Sequence, residues 1–154
     1  TNDSAGAITR LVNMGIEPFL VTSSTVAIQA QRLVRRICDT CREAYTPELE
    51  TWRELGIEPP TKDKQILFKA VGCKKCSDRG YKGRTGIFEL LLMTPRIQEM
   101  ALQGVDSNQI KREARKYGMR TLREDGAHRA MLGLTSAEEI LRVTRNDMEE
   151  EFIG

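Results

Sequence analysis

The four cysteines are the residues whose types and spacing specify a chemistry. They form two C-x-x-C pairs, Cys38 with Cys41 and Cys73 with Cys76, and 31 residues separate the pairs. Each pair can present two thiolates to one metal ion, and a second pair completes a tetrahedron around Zn²⁺. Because four sulfur ligands leave no open coordination position, the pattern predicts a structural zinc site rather than a catalytic one. The spacer exceeds the roughly 15–20 residues usual in zinc ribbons.

Two disulfides, four unrelated thiols or a redox pair are the alternative interpretations of these cysteines. Disulfides are typical of small secreted proteins, whereas this chain is long enough to bury a core and shows no signal-peptide pattern. Unrelated thiols rarely fall into two identical pairs. A thiol oxidoreductase needs a cysteine of low pKa at a helix N-terminus, and neither pair is clearly so placed. The pattern therefore favours zinc.

The charge of the chain is concentrated around the cysteines. Residues 32–84 carry 13 Lys and Arg against 8 Asp and Glu, a local charge of +5, whereas the whole chain has a formal charge of +2. Four thiolates around Zn²⁺ leave a net charge of about −2. We expect Arg36, Arg42, Lys74 and Lys75 to offset it.

Length and composition indicate a soluble globular protein of one domain or two small ones. The chain has 154 residues, of which 40% are hydrophobic and 30% charged. It contains no run of about 18 apolar residues, so the sequence predicts no membrane-spanning helix. A nearly neutral total does not by itself indicate nucleic-acid binding. Because the chain begins with Thr1 rather than Met, we expect it to be a fragment of a longer protein.

The hydrophobic pattern predicts the elements that position the cysteines. In chain order these are a helix over 4–14, a short helix that starts at 17–18, a helix from 23–24 through 30, a strand over 31–37, a helix from 46–47 to 56, a strand over 66–71 and a strand over 84–93. Residues 19–21 are predicted to lie in the core. Residues 90–92, three leucines, are predicted to be buried on both faces of the last strand.

The chain after residue 94 is predicted to be a small helical bundle. Helices are expected from 94–95 to 104 and from 107 to 118, and two capping boxes, Thr121-x-x-Glu124 and Thr135-x-x-Glu138, predict two more. The sole histidine, His128, is expected to be an exposed helix residue. The charged end, 147–151, is expected to be frayed and solvated.

These segments resemble the ATPases of type II secretion and type IV pilus assembly over nearly the whole chain. Thr1-Asn2-Asp3 and AGAITRLVNMGIEPFL (5–20) resemble the stretch after that family's histidine box. AQRLVRRIC (30–38) and the two cysteine pairs resemble its metal-binding subdomain. GYKGRTGIFELLLM (80–93) is similar to its return strand, and LREDGAHRAMLGLTSAEEILRVTR (122–145) to its closing helices. The forms RTGIFELL and LVRRIC favour the type II secretion branch.

The resemblance implies an α/β, or α+β, fragment that ends a RecA-like core and carries an inserted four-cysteine zinc subdomain and a C-terminal helical bundle. The implied divisions are the core end at 1–37, the zinc subdomain at 38–77, the return strand at 78–93 and the helical subdomain at 94–154. The full protein would be a hexameric ATPase, cytoplasmic and held at the inner membrane through partners. Those partners would be the membrane platform and cytoplasmic components of the machine.

The chain departs from the family in lacking the residues that handle nucleotide. No G-x-x-x-x-G-K-[ST] occurs among its twelve glycines, and the family's acidic boxes and the histidine of its histidine box are also missing. ATP and Mg²⁺ are therefore expected in the full-length protein only, and this fragment alone is expected not to be catalytic. Lys82 and Arg84 are candidates for contact with nucleotide or a neighbouring subunit. The alternative is a solvated basic turn that compensates the thiolates.

Two other functions fit parts of the sequence. A zinc-ribbon nucleic-acid-binding module would use the basic residues near the cysteines on phosphates, but no aromatic residues are interleaved with them, and no nucleic-acid partner is expected. The type IV pilus extension ATPases are the alternative within the same family. We expect Cys73→Ser to loosen the insert between the cysteine pairs while leaving the C-terminal helices folded.

Overall fold

The computed structural model describes residues 2–145, so the charged end predicted over 147–151 lies outside the described residues. The chain is α+β, as predicted. Its helices and strands, in order, are α1 (Ser4–Asn13), α2 (Pro18–Ser24), β1 (Ala27–Ile37), β2 (Glu43–Tyr45), α3 (Leu49–Leu55), β3 (Leu67–Lys69), β4 (Tyr81–Leu92), α4 (Pro95–Leu102), α5 (Ser107–Lys116), α6 (Leu122–Met131) and α7 (Ala137–Val143). Single 3₁₀ turns lie at Lys62–Lys64 and Lys74–Cys76.

Two compact units divide the described residues. Unit one comprises 2–30 and 88–121, and unit two comprises 31–87 and 122–145. The long strands β1 and β4 pair with each other, and each has residues in both units. The four helices after residue 94 are divided between the units, α4 and α5 in one and α6 and α7 in the other, so a single C-terminal bundle is not confirmed. The predicted subdomain boundaries stay predictions.

Unit one has a core of apolar side chains from α1, α2, α4, α5 and the end of β4. Its fully buried members come from α1, β4 and the later helices, among them Ile8, Leu91 and Ile110. Helix α1 begins where Asp3 accepts a hydrogen bond from the Gly6 amide, one residue before the predicted cap at Ser4.

Buried polar groups hold the first turn of α1 in place. The Glu89 carboxylate on β4 accepts hydrogen bonds from the amide of Ser4 at 3.0 Å and from its hydroxyl at 2.5 Å. Lys111 on α5 forms an ion pair with Asp3 at 3.2 Å, and little of either side chain is exposed. Because buried charges are costly unless paired, these contacts are specific constraints on α1.

Unit two packs α3, α6 and α7 together with a two-stranded antiparallel sheet. In that sheet Glu43 lies opposite Lys69, and their side chains form an ion pair at 3.3 Å. The large apolar side chains that are fully buried in this unit are Ile37, Trp52, Leu55, Leu67, Ile87, Leu122 and Ile140. The helix predicted between the cysteine pairs is α3, which ends at Gly56 in a left-handed conformation with φ 75°.

The structure overturns several predicted elements. The helix predicted from 23–24 through 30 is wrong, because β1 begins at Ala27 and its exposed and half-buried residues alternate up to Leu33. Strand β2 was not predicted; three residues are too few to show a period. Strand β4 starts at Tyr81 rather than at 84.

The predicted burial of two apolar segments is also largely wrong. Of residues 19–21, only Val21 is buried, whereas Phe19 and Leu20 are 63% and 56% exposed. Of the three leucines in β4, only Leu91 is buried. A strand presents alternate residues to opposite faces, and here one face of the strand end packs on the core of unit one.

Candidate metal centre

The two cysteine pairs lie at the ends of the paired long strands. Cys38 directly follows β1, and its amide donates to the carbonyl of Gly80, the residue before β4, at 2.9 Å. Cys73 caps the 3₁₀ turn that precedes Gly80, and Cys76 is the last residue of that turn. Strand pairing therefore carries cysteines that are distant in sequence to one place.

The four sulfur atoms lie within 4.8 Å of one another. The Sγ of Cys73 is 3.9 Å from that of Cys38 and 3.8 Å from that of Cys76, and the Sγ atoms of Cys41 and Cys76 are 3.8 Å apart. Tetrahedral Zn²⁺ with Zn–S bonds of about 2.3 Å requires neighbouring sulfurs about 3.8 Å apart. All four cysteines are free thiols, so the disulfide interpretation is wrong. The donor set therefore fits one Zn²⁺ held by four thiolates.

Backbone amides are directed at the sulfurs. The Gly72 amide donates to the Sγ of Cys41 at 3.3 Å, and the amides of Cys73 and Gly80 each donate to the Sγ of Cys76 at 3.2 Å. Amide donors around metal thiolates orient the ligands and stabilise their negative charge. Gly80 has φ 76°, and an added Cβ would lie 2.7 Å from the Cβ of Ala70, so this position requires glycine.

The thiols differ in acidity before any metal binds. Burial raises the pKa of Cys41 to about 11. Burial also opposes ionisation of Cys76, but the amides of Cys73 and Gly80 and neighbouring thiols outweigh it and lower the pKa to about 6. Amides of Thr40 and Cys41 lower the pKa of Cys38. Metal binding requires all four as thiolates, so it is expected to release protons.

The basic residues near the cysteines have contacts of their own. Asp39 lies 3.8 Å from Arg36 and 3.9 Å from Arg42, and the Arg42 guanidinium stacks on the Phe68 ring at 4.3 Å. Lys74 and Lys75 are exposed. Their predicted role in offsetting the thiolate charge stays a prediction.

The remaining predicted site residues are exposed. Lys82 and Arg84 lie on β4 on either side of Gly83, which has a φ of 80°. Their contact with nucleotide or a neighbouring subunit stays a prediction. His128 is an exposed residue of α6, as predicted.

Sequence analysis missed a charged network that joins β1 to α7. The Glu139 carboxylate is fully buried and accepts from the amide of Arg35 at 3.0 Å, from its Nη2 at 2.8 Å and from Nη2 of Arg142 at 2.7 Å. The Arg35 guanidinium also lies over the Tyr81 ring, 4.1 Å from its centre. The available signal was the predicted helix cap at Thr135, which lies one residue before the observed cap: the Ser136 hydroxyl accepts a hydrogen bond from the amide of Glu139.

The network favours the ionised form of the Glu139 carboxylate. Burial opposes its ionisation, but hydrogen bonds from Arg142 and Arg35 outweigh that effect and lower the pKa of Glu139 to about 2. The same carboxylate raises the pKa of both arginines. The three groups are therefore fully charged at neutral pH.

The fold is α+β, and its four cysteines form a cluster that could hold one metal ion. The family model described as Type II/IV secretion system protein matches residues 1–142. The chain belongs to this family.

Known relatives cover nearly all of the chain. It is 44% identical over 144 residues to the type IV pilus assembly ATPase PilB of Thermus thermophilus, which is 94% of this chain and 16% of that protein. It is 42% identical over 147 residues to the type II secretion system protein E of Pseudomonas aeruginosa, which is 96% and 29% of the two chains. The type II secretion system ATPase E of Vibrio cholerae is 43% identical over 145 residues, 94% of this chain and 28% of that protein. The chain thus spans less than a third of the length of these relatives.

Proposed function

We propose that the chain is the C-terminal region of a hexameric ATPase that powers type II protein secretion by assembling a pseudopilus. Family membership over residues 1–142 supports the ATPase parent. Type IV pilus assembly is the alternative within the family, and the similar identities to the Thermus and Pseudomonas proteins, 44% and 42%, leave both branches open. In this proposal residues 1–37 end a RecA-like core, 38–77 form the zinc subdomain, 78–93 return to the core and 94–154 form the helical subdomain.

The role proposed for this region is structural zinc binding together with docking of partners or a neighbouring subunit. The observation that carries the zinc proposal is the clustering of all four sulfurs within 4.8 Å. When bound, the ion supplies a cross-link between the two cysteine pairs, and Cys38, Cys41, Cys73 and Cys76 would hold it. Structural Zn²⁺ contributes about 10–16 kcal/mol of apparent binding free energy in small peptides, which is enough to fold an insert with little core.

Nucleotide chemistry is assigned to the parent protein outside these residues. ATP and Mg²⁺ need a P-loop, and the sequence has none. Hexamer formation, a cytoplasmic position peripheral to the inner membrane and contact with the platform and cytoplasmic components are proposed with the parent. Among the described residues no helix is long and apolar enough to cross a membrane. No nucleic-acid partner is proposed, and retention of nucleic acid in a low-salt filter-binding titration would contradict this.

Metal content of the purified chain tests the zinc proposal. We expect one Zn²⁺ per chain by elemental analysis, four thiols that react with a thiol reagent only after chelation, and loss of the ion in Cys73→Ser. Lys74→Ala is the matched control, because it changes the same turn without removing a ligand and should keep the zinc. A chain that carries no zinc after refolding with Zn²⁺ and a reductant would contradict the proposal.

A further inference from the structure

The connection between α6 and α7, residues 132–136, lies against residues that flank the first cysteine pair. The amide of Ile37, next to Cys38, donates to the carbonyl of Leu134 at 3.0 Å. Arg42, next to the second cysteine of that pair, donates from Nη1 to the carbonyl of Gly133 at 2.6 Å. A cation at the C-terminal end of a helix also interacts favourably with the helix dipole. The first pair is thus bonded on both sides to this connection.

The same connection is bonded to the second cysteine pair through Tyr81. The hydroxyl groups of Tyr81 and Ser136 form a hydrogen bond of 2.6 Å. Tyr81 follows Gly80, whose amide donates to the Sγ of Cys76 and whose carbonyl accepts from the amide of Cys38. Tyr81 therefore links the α6–α7 connection to Gly80, whose backbone is hydrogen-bonded to both cysteine pairs.

Two buried residues and a glycine of positive φ constrain this connection. Thr135 and Ser136 are buried, and the Thr135 hydroxyl donates to the carbonyl of Arg35 at 2.8 Å. Gly133 has φ 77°, and an added Cβ would lie 2.5 Å from Nη1 of Arg42. A shift of either cysteine pair by an ångström would break several of these bonds together, because each is close to ordinary hydrogen-bond length.

We propose that the four-cysteine centre and the α6–α7 connection form a metal-dependent latch: a bound metal holds α6 and α7 packed on α3 and β3, and its loss releases both helices. The proposal rests on the proposed zinc site. Without the ion, no cross-link joins the pairs, and the contacts between their sulfurs are weak S–H···S hydrogen bonds of 3.9 and 3.8 Å. The pairs then separate and the anchors of the connection move with them. This replaces the expectation that the C-terminal helices remain folded in Cys73→Ser: α6 and α7 should loosen and α4 and α5 should not.

Thermodynamic linkage makes the latch measurable in both directions. If zinc stabilises the docked connection, then weakening the connection must weaken zinc binding by the same factor. Two substitutions weaken it without changing a charge or a ligand. Tyr81→Phe removes one hydroxyl, and Gly133→Ala strains the backbone and displaces Arg42. Gly104→Ala is the matched control, because Gly104 has φ 71°, no atom near its added Cβ and a place in unit one.

The experiment combines hydrogen exchange and zinc affinity on the whole chain. We expect chelation to accelerate amide exchange in peptides from α6 and α7, and to leave peptides from α1, α4 and α5 unchanged. Competition with a chromophoric chelator should show zinc affinity lowered about 3- to 10-fold in Tyr81→Phe and about 10-fold or more in Gly133→Ala, with less than about 2-fold change in Gly104→Ala.

The outcomes separate the latch from the zinc site. Stoichiometric zinc with unchanged exchange in α6 and α7 on chelation, or with unchanged affinity in both variants, would overturn the latch and leave the zinc site standing. A chain that binds no zinc would overturn both. If all helices, including those of unit one, lost protection together, the effect would be global unfolding and the latch would again be wrong.

Discussion

The Glu139 side chain on α7 links this helix to β1, the strand that precedes Cys38. Its buried carboxylate is held by two arginines whose guanidinium groups are about half exposed. The partners come from β1 and from the next turn of α7, so one residue connects elements more than a hundred positions apart. Because the arginines are partly solvated, the pair stabilises less than a fully buried one does.

Replacement of the Glu139 carboxylate should change how the free energy of unfolding depends on pH. The pKa of Glu139 is about 2 in the folded chain against an ordinary value of 4.5, so its contribution is complete above about pH 4.5 and is lost as the pH falls toward 2. We expect Glu139→Gln to lower the free energy of unfolding by about 1–3 kcal/mol at pH 7, and the difference from the parent chain to shrink between pH 5 and 2. Urea titrations across that range measure it.

Glu138→Gln is the control for that measurement, since Glu138 is the exposed neighbour on the same helix. Its stability should follow the parent chain within about 0.5 kcal/mol at each pH. A constant difference between Glu139→Gln and the parent across the range would show that the carboxylate has the same pKa in both states.

At the scale of elements, the packing of α6 against α7 depends on one glycine. Gly126 lies within α6 at helical dihedral angles, where alanine ordinarily favours a helix by up to about 1 kcal/mol. Here an added Cβ would lie 2.7 Å from both Cδ1 and Cγ2 of Ile140, which is fully buried. Overpacking should therefore outweigh propensity.

We expect Gly126→Ala to destabilise unit two by about 1–3 kcal/mol, measured by chemical denaturation. Ile140→Ala opens space at the same contact, so the double variant should be more stable than the sum of the two single effects predicts. Strict additivity of the two changes would mean that α6 and α7 are not in contact there.

At the scale of the whole molecule, the described residues form two compact units, and all four cysteines lie in unit two. The cysteines belong to unit two, together with Trp52, the sole tryptophan, which is fully buried. The core of unit one contains no cysteine. Proteins with two cores need not unfold as a single two-state system.

Chelation should therefore separate two thermal transitions. The fluorescence of Trp52 reports unit two, whereas far-ultraviolet circular dichroism reports the helices of both units. We expect a chelator to lower the midpoint seen by fluorescence by about 10 °C or more, because a ligand stabilises only the unit that binds it, and to leave a later transition in the dichroism signal. Coincident transitions with and without the chelator would contradict this division.

The sequence by itself determined the cysteine pairing into C-x-x-C motifs, the family resemblance, α3, β4 and the helix ends at Gly56 and Gly104. These features depend on the spacing of metal ligands, on the period of apolar residues and on the positive φ that glycine allows at a helix end. Each of these acts over a few residues. Only the tertiary structure decided that β1 replaces a predicted helix, that Phe19 and Leu20 are exposed, and that Glu139 meets Arg35. Those outcomes depend on which faces pack together and on contacts between distant positions, and no local pattern encodes either.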